Sequence, residues 1–583
     1  MAALRKIASL CNSLEKGCKK DDLQLQRVKS AASNVGRASA AAAAQALAAE
    51  LGLQYKPDGL VIAGTPFGSD SFVAAAAAQR ADSVIADVKT LQSLPVMKQT
   101  AWTLIRMSLA QRMAHLQRAV PWIVLAASVR HVEQTLLAAT AALFRLRGDH
   151  RVEGPTGVSS APEPLLAQIT LPVRHGGFGL RTTSSVQADA ALLAGAAKAQ
   201  HAMADAAASS RPFDGASRPA LQEAWTRVWA ELGDAGSPEK WGDAARALPS
   251  EFVSGRLASV QGEVSRAVQD RAGAAYLTRC DLTTPAGRHD AARLRSCATG
   301  AGSAWLQATR ACRFTRLSNH DFVSGVHHRL GLGPRLDVDV ERPPCMCSGA
   351  VPPPSPQRGG TAAQDTPDAA DAADPAAPDH AMSCNIATAQ RTVRHNLLAS
   401  AWRRSIAAAG CTTSMEPSYS RLAATASAAQ ATGQRRGDIF TILPDGAVTV
   451  LDAVVTHPCG RSCVGPASKR DGHAAAKAEQ AKVRSFQGMV GDGAGYTFVP
   501  IAMESYGRLG VAASRFLSKL GDIAAAEGRV TKAAFVRAAH RRISCAIVRG
   551  NARMYSIVAD QLVRASGNAC VPGDEVALGE NCD

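Results

Sequence analysis

The chain is poor in aromatic residues and has no long uncharged apolar run. Aromatic side chains make up 4% of its 583 residues, whereas the hydrophobic set reaches 46%. Alanine supplies much of that set and favours helix, so we expect helical cores that contain few large side chains. No stretch of about 18 residues is free of both charge and strong helix breakers, which predicts that no helix spans a membrane.

The chain also lacks the signals of a secreted protein. Its 14 cysteines are irregularly spaced, unlike the dense disulfide framework of small secreted domains. Its first residues contain no apolar core of signal-peptide length. We therefore expect a reducing intracellular compartment, with the nucleus favoured over the cytoplasm. The length predicts three or four domains.

Positive charge, in contrast, is in excess. Lysine and arginine number 65 against 49 acidic residues, which gives a net charge of +16 and a pI of about 9.4. Such a balance suits a polyanionic partner such as DNA or RNA. The alternative is a basic compositional bias with arginines spread over solvated faces, and charge alone does not separate the two.

Periodicity divides the N-terminal half into helices and two short strand-and-turn segments. Gly59–Gly68 has β-branched residues followed by glycine and proline, and predicts a buried strand ending in a turn. Ile169–Leu180 has the same character, and its glycines lack the spacing of a nucleotide-binding loop. Between them a helical region, 72–144, is broken at Pro95 and Pro121. Apolar residues at helical spacing predict its core: Trp102, Ile105, Leu109, Met113 and Leu116.

The C-terminal half alternates helices with short strands. Residues 350–379 are rich in proline, glycine, alanine and aspartate, which predicts a disordered insert. The pattern after this insert predicts a helix at 385–410, a hairpin at 438–456, a helix at 472–488, a strand at 496–503 and helices from 507 to 566.

Cysteines and histidines on both sides of this insert predict a zinc site. Zn²⁺ prefers four thiolate or imidazole ligands in a tetrahedron, and four candidates are present: Cys345, Cys347, His380 and Cys384. His380 and Cys384 are four residues apart, so one helical turn would place both on one face. The insert explains the long spacing between the two halves. A chance grouping of these residues is the alternative, and His395 is an alternative ligand.

The hairpin carries two aspartates that its turn places side by side. Pro444-Asp445-Gly446 fits a three-residue loop, a type I turn followed by a left-handed glycine. In that register Asp438 falls opposite Asp452 on the same face. Facing carboxylates repel each other, so the pair predicts bound Mg²⁺, which would activate water for phosphodiester cleavage. The alternative is that the two aspartates simply begin and end strands in solvent.

A lysine follows on the next predicted helix. Lys482 lies three residues after Glu479 and four before Phe486. A lysine here would position water or stabilise charge that develops on a phosphate. A solvated pair between Lys482 and Glu479 fits the spacing equally well.

Taken in order, these residues resemble the C-terminal half of non-LTR retrotransposon proteins that carry a restriction-like endonuclease. That family has a zinc knuckle, an Arg-His-Asn helix, two aspartates on a hairpin, and a helix with lysine before an aromatic residue. The matching positions are Cys345, Cys347, His380 and Cys384, then Arg394, His395 and Asn396, then Asp438 and Asp452, then Lys482 before Phe486.

Upstream segments are similar to the same family. Gly59–Gly68 and the helices around Trp102 resemble the lead into the reverse transcriptase thumb and the thumb itself, and Gly176–Leu180 resembles the linker beyond it. The chain departs from the family in lacking the polymerase palm with its aromatic-x-Asp-Asp strand, so reverse transcriptase activity is not expected. Gly437 also stands in place of the usual proline and Phe486 in place of the usual tyrosine.

The resemblance implies a multi-domain protein, mostly α, with a C-terminal α/β restriction-endonuclease-like domain. The expected regions are a helical N-terminal remnant (1–56), a thumb-like region (57–150), a helical linker region (151–340), a zinc-knuckle region with the disordered insert 350–379 (341–400), the endonuclease domain (401–520), and C-terminal helices with a tail (521–583).

The resemblance also implies an activity. Asp438 and Asp452 would hold catalytic Mg²⁺, Lys482 would assist, structural Zn²⁺ would hold the knuckle, and the Arg394-His395-Asn396 segment would contact DNA. The alternative is a catalytically inactive remnant that still binds nucleic acid. A third possibility is a product without a selected role.

Overall fold

The computed structural model describes residues 31–32, 41–146, 163–206, 219–234, 255–333, 379–416, 437–490 and 496–565. The described part is mostly helical, with a small mixed sheet in its C-terminal region. No helix within these ranges is both long enough and apolar enough to cross a membrane. Cys345, Cys347 and most of the predicted insert lie outside the described residues.

The helices and strands are labelled in chain order. The helices are α1 (Ala41–Glu50), α2 (Asp70–Ser93), α3 (Lys98–Met107), α4 (Trp122–Leu143), α5 (Glu163–Thr170), α6 (Ser185–Ala206), α7 (Pro219–Asp234), α8 (Gly255–Thr278), α9 (Pro285–Cys297), α10 (Asn319–Leu330), α11 (Thr388–Ala408), α12 (Val464–Ala467), α13 (His473–Val490), α14 (Val511–Ala526) and α15 (Lys532–Ala565). The strands are β1 (Ala31–Ala32), β2 (Gln54–Tyr55), β3 (Gly59–Ile62), β4 (Thr65–Gly68), β5 (Thr412–Met415), β6 (Ile439–Ile442), β7 (Val448–Thr456) and β8 (Thr497–Glu504).

The chain divides into two compact units, each built from several segments. Unit 1 comprises Met1–Leu94, Ile105–Ala139 and Thr182–Asp270. Unit 2 comprises Pro95–Leu104, Thr140–Arg181 and Arg271–Asp583. The predicted hairpin, its flanking helices and the two described candidate zinc ligands, His380 and Cys384, all belong to unit 2.

Unit 1 contains the segment predicted as a buried strand. It forms the antiparallel hairpin β3–β4, in which Gly59 pairs with Gly68. The prediction of burial is wrong, since Val61 and Ile62 are 58% and 56% exposed. The hairpin has only two strands, and Phe72 of α2 lies so close to Gly59 that a Cβ there would approach its ring to 2.4 Å.

The predicted helical region is broken at both prolines, as expected. Pro95 separates α2 from α3, and Pro121 directly precedes α4. The apolar stripe is buried throughout, but α3 ends at Met107 and the chain continues in 3₁₀ turns, so the predicted helical region has a further interruption between the two prolines. The five stripe residues are all at most 5% exposed: Trp102, Ile105, Leu109, Met113 and Leu116.

The second predicted strand, Ile169–Leu180, is not a strand. Helix α5 runs to Thr170 and a 3₁₀ turn covers Val173–His175. Gly176 and Gly179 have φ values of +82° and +73°, which glycine adopts without strain. The predicted turn is therefore present, and a helix end leads into it instead of a strand.

Five aromatic residues of unit 2 form one cluster. Trp102 lies 5.1 Å from Phe144 between ring centroids, and Phe144 lies 5.3 Å from Phe178. Phe322 of α10 continues the cluster toward Trp305 at 5.5 Å. Tilted and edge-on contacts at these distances are favourable beyond their area, so these rings stabilise this part of the core.

The C-terminal sheet has the order β5-β6-β7-β8. Strands β5, β6 and β7 are antiparallel neighbours, whereas β8 pairs parallel to β7. A parallel pair needs a crossover connection, and α13 lies in that connection. The predicted helix 385–410, helix 472–488 and strand 496–503 correspond to α11, α13 and β8 within a few residues.

Candidate metal-binding and catalytic site

The hairpin turn determines where the two aspartates lie. Leu443 donates its backbone N–H to Ala447 at 3.0 Å, and Gly446 has a φ of +81°. The strand ladder then pairs Ile442 with Val448 and Ile439 with Leu451. Continuing this register by one position places Asp438, the residue before β6, opposite Asp452 of β7. The predicted three-residue loop and its register are confirmed.

Helix α11 brings His395 to the first aspartate. The His395 Nε2 atom lies 3.0 Å from Asp438 Oδ2 and 3.1 Å from the Ala453 carbonyl oxygen. Both neighbours are acceptors, so Nε2 carries a proton and donates to them. The Ala453 N–H donates in turn to Asp438 Oδ2 at 2.6 Å. His395 therefore orients Asp438, a role that the sequence did not predict.

Helix α13 brings Lys482 to the second aspartate. The Lys482 Nζ atom lies 3.2 Å from Asp452. Glu479 instead accepts a hydrogen bond from the Ala512 N–H at 2.9 Å, at the start of α14. The alternative in which Lys482 pairs with Glu479 is therefore wrong, and the lysine belongs to the aspartate pair.

The two carboxyl groups titrate differently because their surroundings differ. Burial, opposed by the charge of Lys482 and supported by that of Asp438, raises the pKa of Asp452 to about 6. Burial also acts on Asp438, but the hydrogen bond and charge of His395 outweigh it and lower the pKa of that carboxyl. The hydrogen bond to Asp438 in turn raises the pKa of His395. Two half-buried carboxylates face each other at the cost of mutual repulsion.

This donor set fits a divalent cation. Ligand atoms of Asp438 and Asp452 lie within 4.8 Å of each other and of His395, whose Nε2–H donates to Asp438 and is not itself a ligand. The two carboxylates supply the oxygen ligands that Mg²⁺ prefers, and a cation between them would offset their repulsion. The Asp438 and Asp452 side chains are 17% and 14% exposed, so solvent can reach them.

Phe486, one helical turn after Lys482 on α13, packs against the sheet that carries the two aspartates. Its ring stacks on Phe498 of β8 with centroids 4.1 Å apart, and both contact a cluster that includes Val450 of β7. The position that holds tyrosine in the resembling family is therefore a buried contact here. The phenyl ring fixes α13 over the sheet and contributes no hydroxyl to the site.

Arg394 does not face the site with His395, whereas Asn396 contacts the far side of the His395 ring. Arg394 is 4% exposed and donates to Asn551 Oδ1 at 3.0 Å, and burial lowers its pKa to about 9. A guanidinium enclosed in this way cannot reach DNA. The prediction that Arg394 contacts DNA is therefore wrong, and the side chain instead joins α11 to α15 through Asn551. Asn396 is exposed, and its Oδ1 lies 3.2 Å from His395 Nδ1.

The described half of the predicted zinc knuckle is buried. His380 lies in a 3₁₀ turn, His380–Met382, and Cys384 follows in an extended conformation. The expected single α-helical turn joining them is therefore wrong. Cys384 lies in a core cluster with Met554 and Tyr555 of α15. With Cys345 and Cys347 outside the described residues, zinc binding stays a prediction.

The sequence missed a buried polar cluster next to His380. Asp379, placed by prediction in the disordered insert, is 2% exposed and ordered, so the insert prediction is wrong at this residue. Its carboxylate accepts from His289 at 2.7 Å and Tyr506 at 2.5 Å and lies 3.0 Å from His457 Nε2. Burial alone would raise the pKa of Asp379, but the histidines hold it well below its usual range.

Hydrogen bonds account for this cluster without a metal. Ligand atoms of His289, Asp379 and Cys459 lie within 4.8 Å of one another. The Cys459 thiol, however, already donates to the His289 carbonyl oxygen at 3.5 Å, and the carboxylate is fully engaged. The cluster therefore ties Asp379 to His289, His457 and Tyr506.

No protein-family model matches the chain, and no curated protein is significantly similar to it in sequence. Function is therefore inferred from the geometry of unit 2, and the retrotransposon resemblance stays a hypothesis.

Proposed function

We propose that the chain is a retroelement-derived, Mg²⁺-dependent DNA endonuclease. The observation that carries the proposal is the hairpin register, which places Asp438 and Asp452 side by side with Lys482 at 3.2 Å from the second. Two carboxylates directly opposite each other are unfavourable in a sheet, whereas a divalent cation held between them would offset that cost and could assist phosphodiester cleavage.

Each side chain of the site has a distinct role. Bound Mg²⁺ would supply a polarised water and charge neutralisation at the phosphate. Asp438 and Asp452 would hold the cation, and His395 would keep Asp438 in a fixed orientation through its Nε2–H. Lys482 would move from Asp452 to the negative charge that develops on the phosphate oxygens.

A second candidate is a nucleic-acid-binding protein without nuclease activity. It is favoured by one observation: Lys482 and His395 each already contact one of the two aspartates. If His395 is protonated, as its raised pKa favours, two positive groups balance two carboxylates. Such a network would be neutral without any cation.

Nicking of supercoiled plasmid DNA separates these candidates. We expect the wild-type chain to nick in Mg²⁺ and to stop in EDTA, and Asp438→Asn to lose the activity because asparagine is a poor ligand for a hard cation. Asp445→Asn is the matched control, since Asp445 lies exposed in the same turn and asparagine keeps the acceptor for the Ala447 N–H. Equal nicking by wild type and Asp438→Asn would remove the enzymatic assignment.

A further inference from the structure

Unit 2 carries a surface on which several arginines surround one aromatic ring. The Arg404 guanidinium carbon lies 3.9 Å from the Phe314 ring centroid, and that of Arg313 lies at 4.9 Å. Arg542 of α15 joins them through a hydrogen bond from Nη1 to Ser405 Oγ at 2.9 Å. We call this the arginine surface; its members are Arg313, Phe314, Arg403, Arg404 and Arg542.

The positive charges of the arginine surface are not neutralised within the described part of the chain. There, no carboxylate lies within ion-pair distance of these four arginines. Burial lowers the pKa of Arg404, and the charges of Arg313, Arg403 and Arg542 lower it further. Four like charges held together repel one another, whereas arginines scattered over solvated faces would not.

Most N–H donors of the arginine surface make no hydrogen bond within the described part of the chain. A guanidinium has five N–H donors, and among the described residues Arg404 makes one hydrogen bond, from Nε to Ser400 Oγ at 3.4 Å. Stacking on Phe314 fixes the plane of Arg404 and leaves its edge for an acceptor. Guanidinium edges bind phosphate oxygens in a bidentate manner.

We propose that the arginine surface binds the phosphodiester backbone of the DNA that the candidate site cleaves. This inference rests on the proposed function for its choice of DNA. Helix α11 carries both His395 and Arg403–Arg404, eight to nine residues apart, so Arg403 lies about 80° and Arg404 about 180° around the helix axis from His395. The arginine surface would therefore hold a stretch of the DNA backbone that does not itself enter the candidate site.

Salt-dependent DNA binding in EDTA tests the surface separately from cleavage. A fluorescent duplex is titrated with the full chain at several KCl concentrations, and the slope of log K against log salt is measured. Each lost phosphate contact lowers the magnitude of that slope by about 0.9. We expect Arg313→Gln/Arg404→Gln to lower it by about 1.8, with about tenfold or more weaker binding at moderate salt.

Two further variants complete the test. The first removes a member of the arginine surface whose loss should not disturb folding, and the second controls for general charge. Arg403→Gln changes a side chain without a hydrogen bond in the described structure and should lower the slope by about 0.9. Arg515→Gln removes an exposed arginine on α14 that is not among the charges acting on Arg404, and it should leave affinity and slope almost unchanged. A double variant with wild-type slope and affinity would overturn the proposal.

The outcomes distinguish this inference from the proposed function. If wild type binds duplex through the arginine surface but never nicks it, the surface stands and the endonuclease proposal fails. If wild type nicks and the double variant binds with unchanged slope, the endonuclease proposal stands and the arginine surface is not the DNA-binding surface. Preferential displacement of the duplex by an unlabelled single-stranded RNA of equal length would overturn the assignment of DNA as the ligand.

Discussion

Replacing Asp452 by asparagine is expected to stabilise the metal-free protein while abolishing its response to Mg²⁺. Burial, with a smaller contribution from the charge of Asp438, raises the pKa of Asp452 from 3.8 to about 6. An acid with a raised pKa in the folded state destabilises that state as pH rises from the unfolded to the folded pKa. Above about pH 6, ionised Asp452 therefore lowers the free energy of unfolding unless a cation binds it.

The magnitude follows from the shift. The rise amounts to about two pKa units, and one unit corresponds to about 1.4 kcal/mol, so the upper bound is about 3 kcal/mol. Part of this belongs to Asp438 because the two carboxyls titrate as a pair. We expect Asp452→Asn to raise the free energy of unfolding by about 1–2 kcal/mol at about pH 8 in EDTA. The gain should vanish below about pH 4, where wild-type Asp452 is protonated in both states.

Urea unfolding followed by tryptophan fluorescence measures both parts of this prediction. Wild type should gain about 1.4 kcal/mol when Mg²⁺ is present at about ten times its dissociation constant, and Asp452→Asn should gain nothing. Asp445→Asn in the same hairpin should stay within about 0.5 kcal/mol of wild type in both conditions. A variant less stable than wild type in EDTA, or one with an unchanged Mg²⁺ gain, would refute the reasoning.

Three further changes test the surroundings of the site and the two units. Lys482→Met should leave Mg²⁺ affinity equal or higher, because a competing cation is gone, while nicking falls about 100-fold; plasmid assays and calorimetry measure the two. Asp379→Asn should lower the free energy of unfolding, measured from the urea midpoint, by at least about 2 kcal/mol, because the buried groups around Asp379 lose their negatively charged partner. A loss below about 0.5 kcal/mol, as is typical of a surface substitution, would contradict this. Burial raises the pKa of Glu133 to about 7, so its ionisation costs stability as pH rises from 4.5 through 7. Glu133→Gln should thus be about 1–2 kcal/mol more stable than wild type at about pH 8 and equal to it at about pH 4, measured by thermal melting across pH.

The aspartate pair was predictable because its cause is local. Pro444, Asp445 and Gly446 determine the loop, the loop determines the register, and the register places Asp438 opposite Asp452. The buried cluster at Asp379 was not predictable in this way. Its hydrogen bonds to His289 and Tyr506 span 90 and 127 positions in the chain. In the sequence, the local sign of this cluster was only that an aspartate stands directly before His380, at the end of an acidic low-complexity run.

The Arg394-His395-Asn396 segment shows a different limit. Consecutive residues on an α-helix point about 100° apart, so three in a row cannot face one ligand. The structure accordingly buries Arg394, directs His395 to Asp438 and exposes Asn396. The helix was predictable from its pattern, but its rotation depends on contacts with α15 and the sheet. Those contacts are made by residues far away in the sequence.

Binding of Mn²⁺, observed by electron paramagnetic resonance as the loss of the free-ion signal, tests the central claim most directly. Mn²⁺ accepts the same oxygen ligands as Mg²⁺ and reports binding whether or not DNA is cut. The Asp438–Asp452 pair should give the wild-type chain a site that both Asp438→Asn and Asp452→Asn lose and Asp445→Asn retains. Equal Mn²⁺ binding by all four proteins would show that the paired aspartates hold no metal.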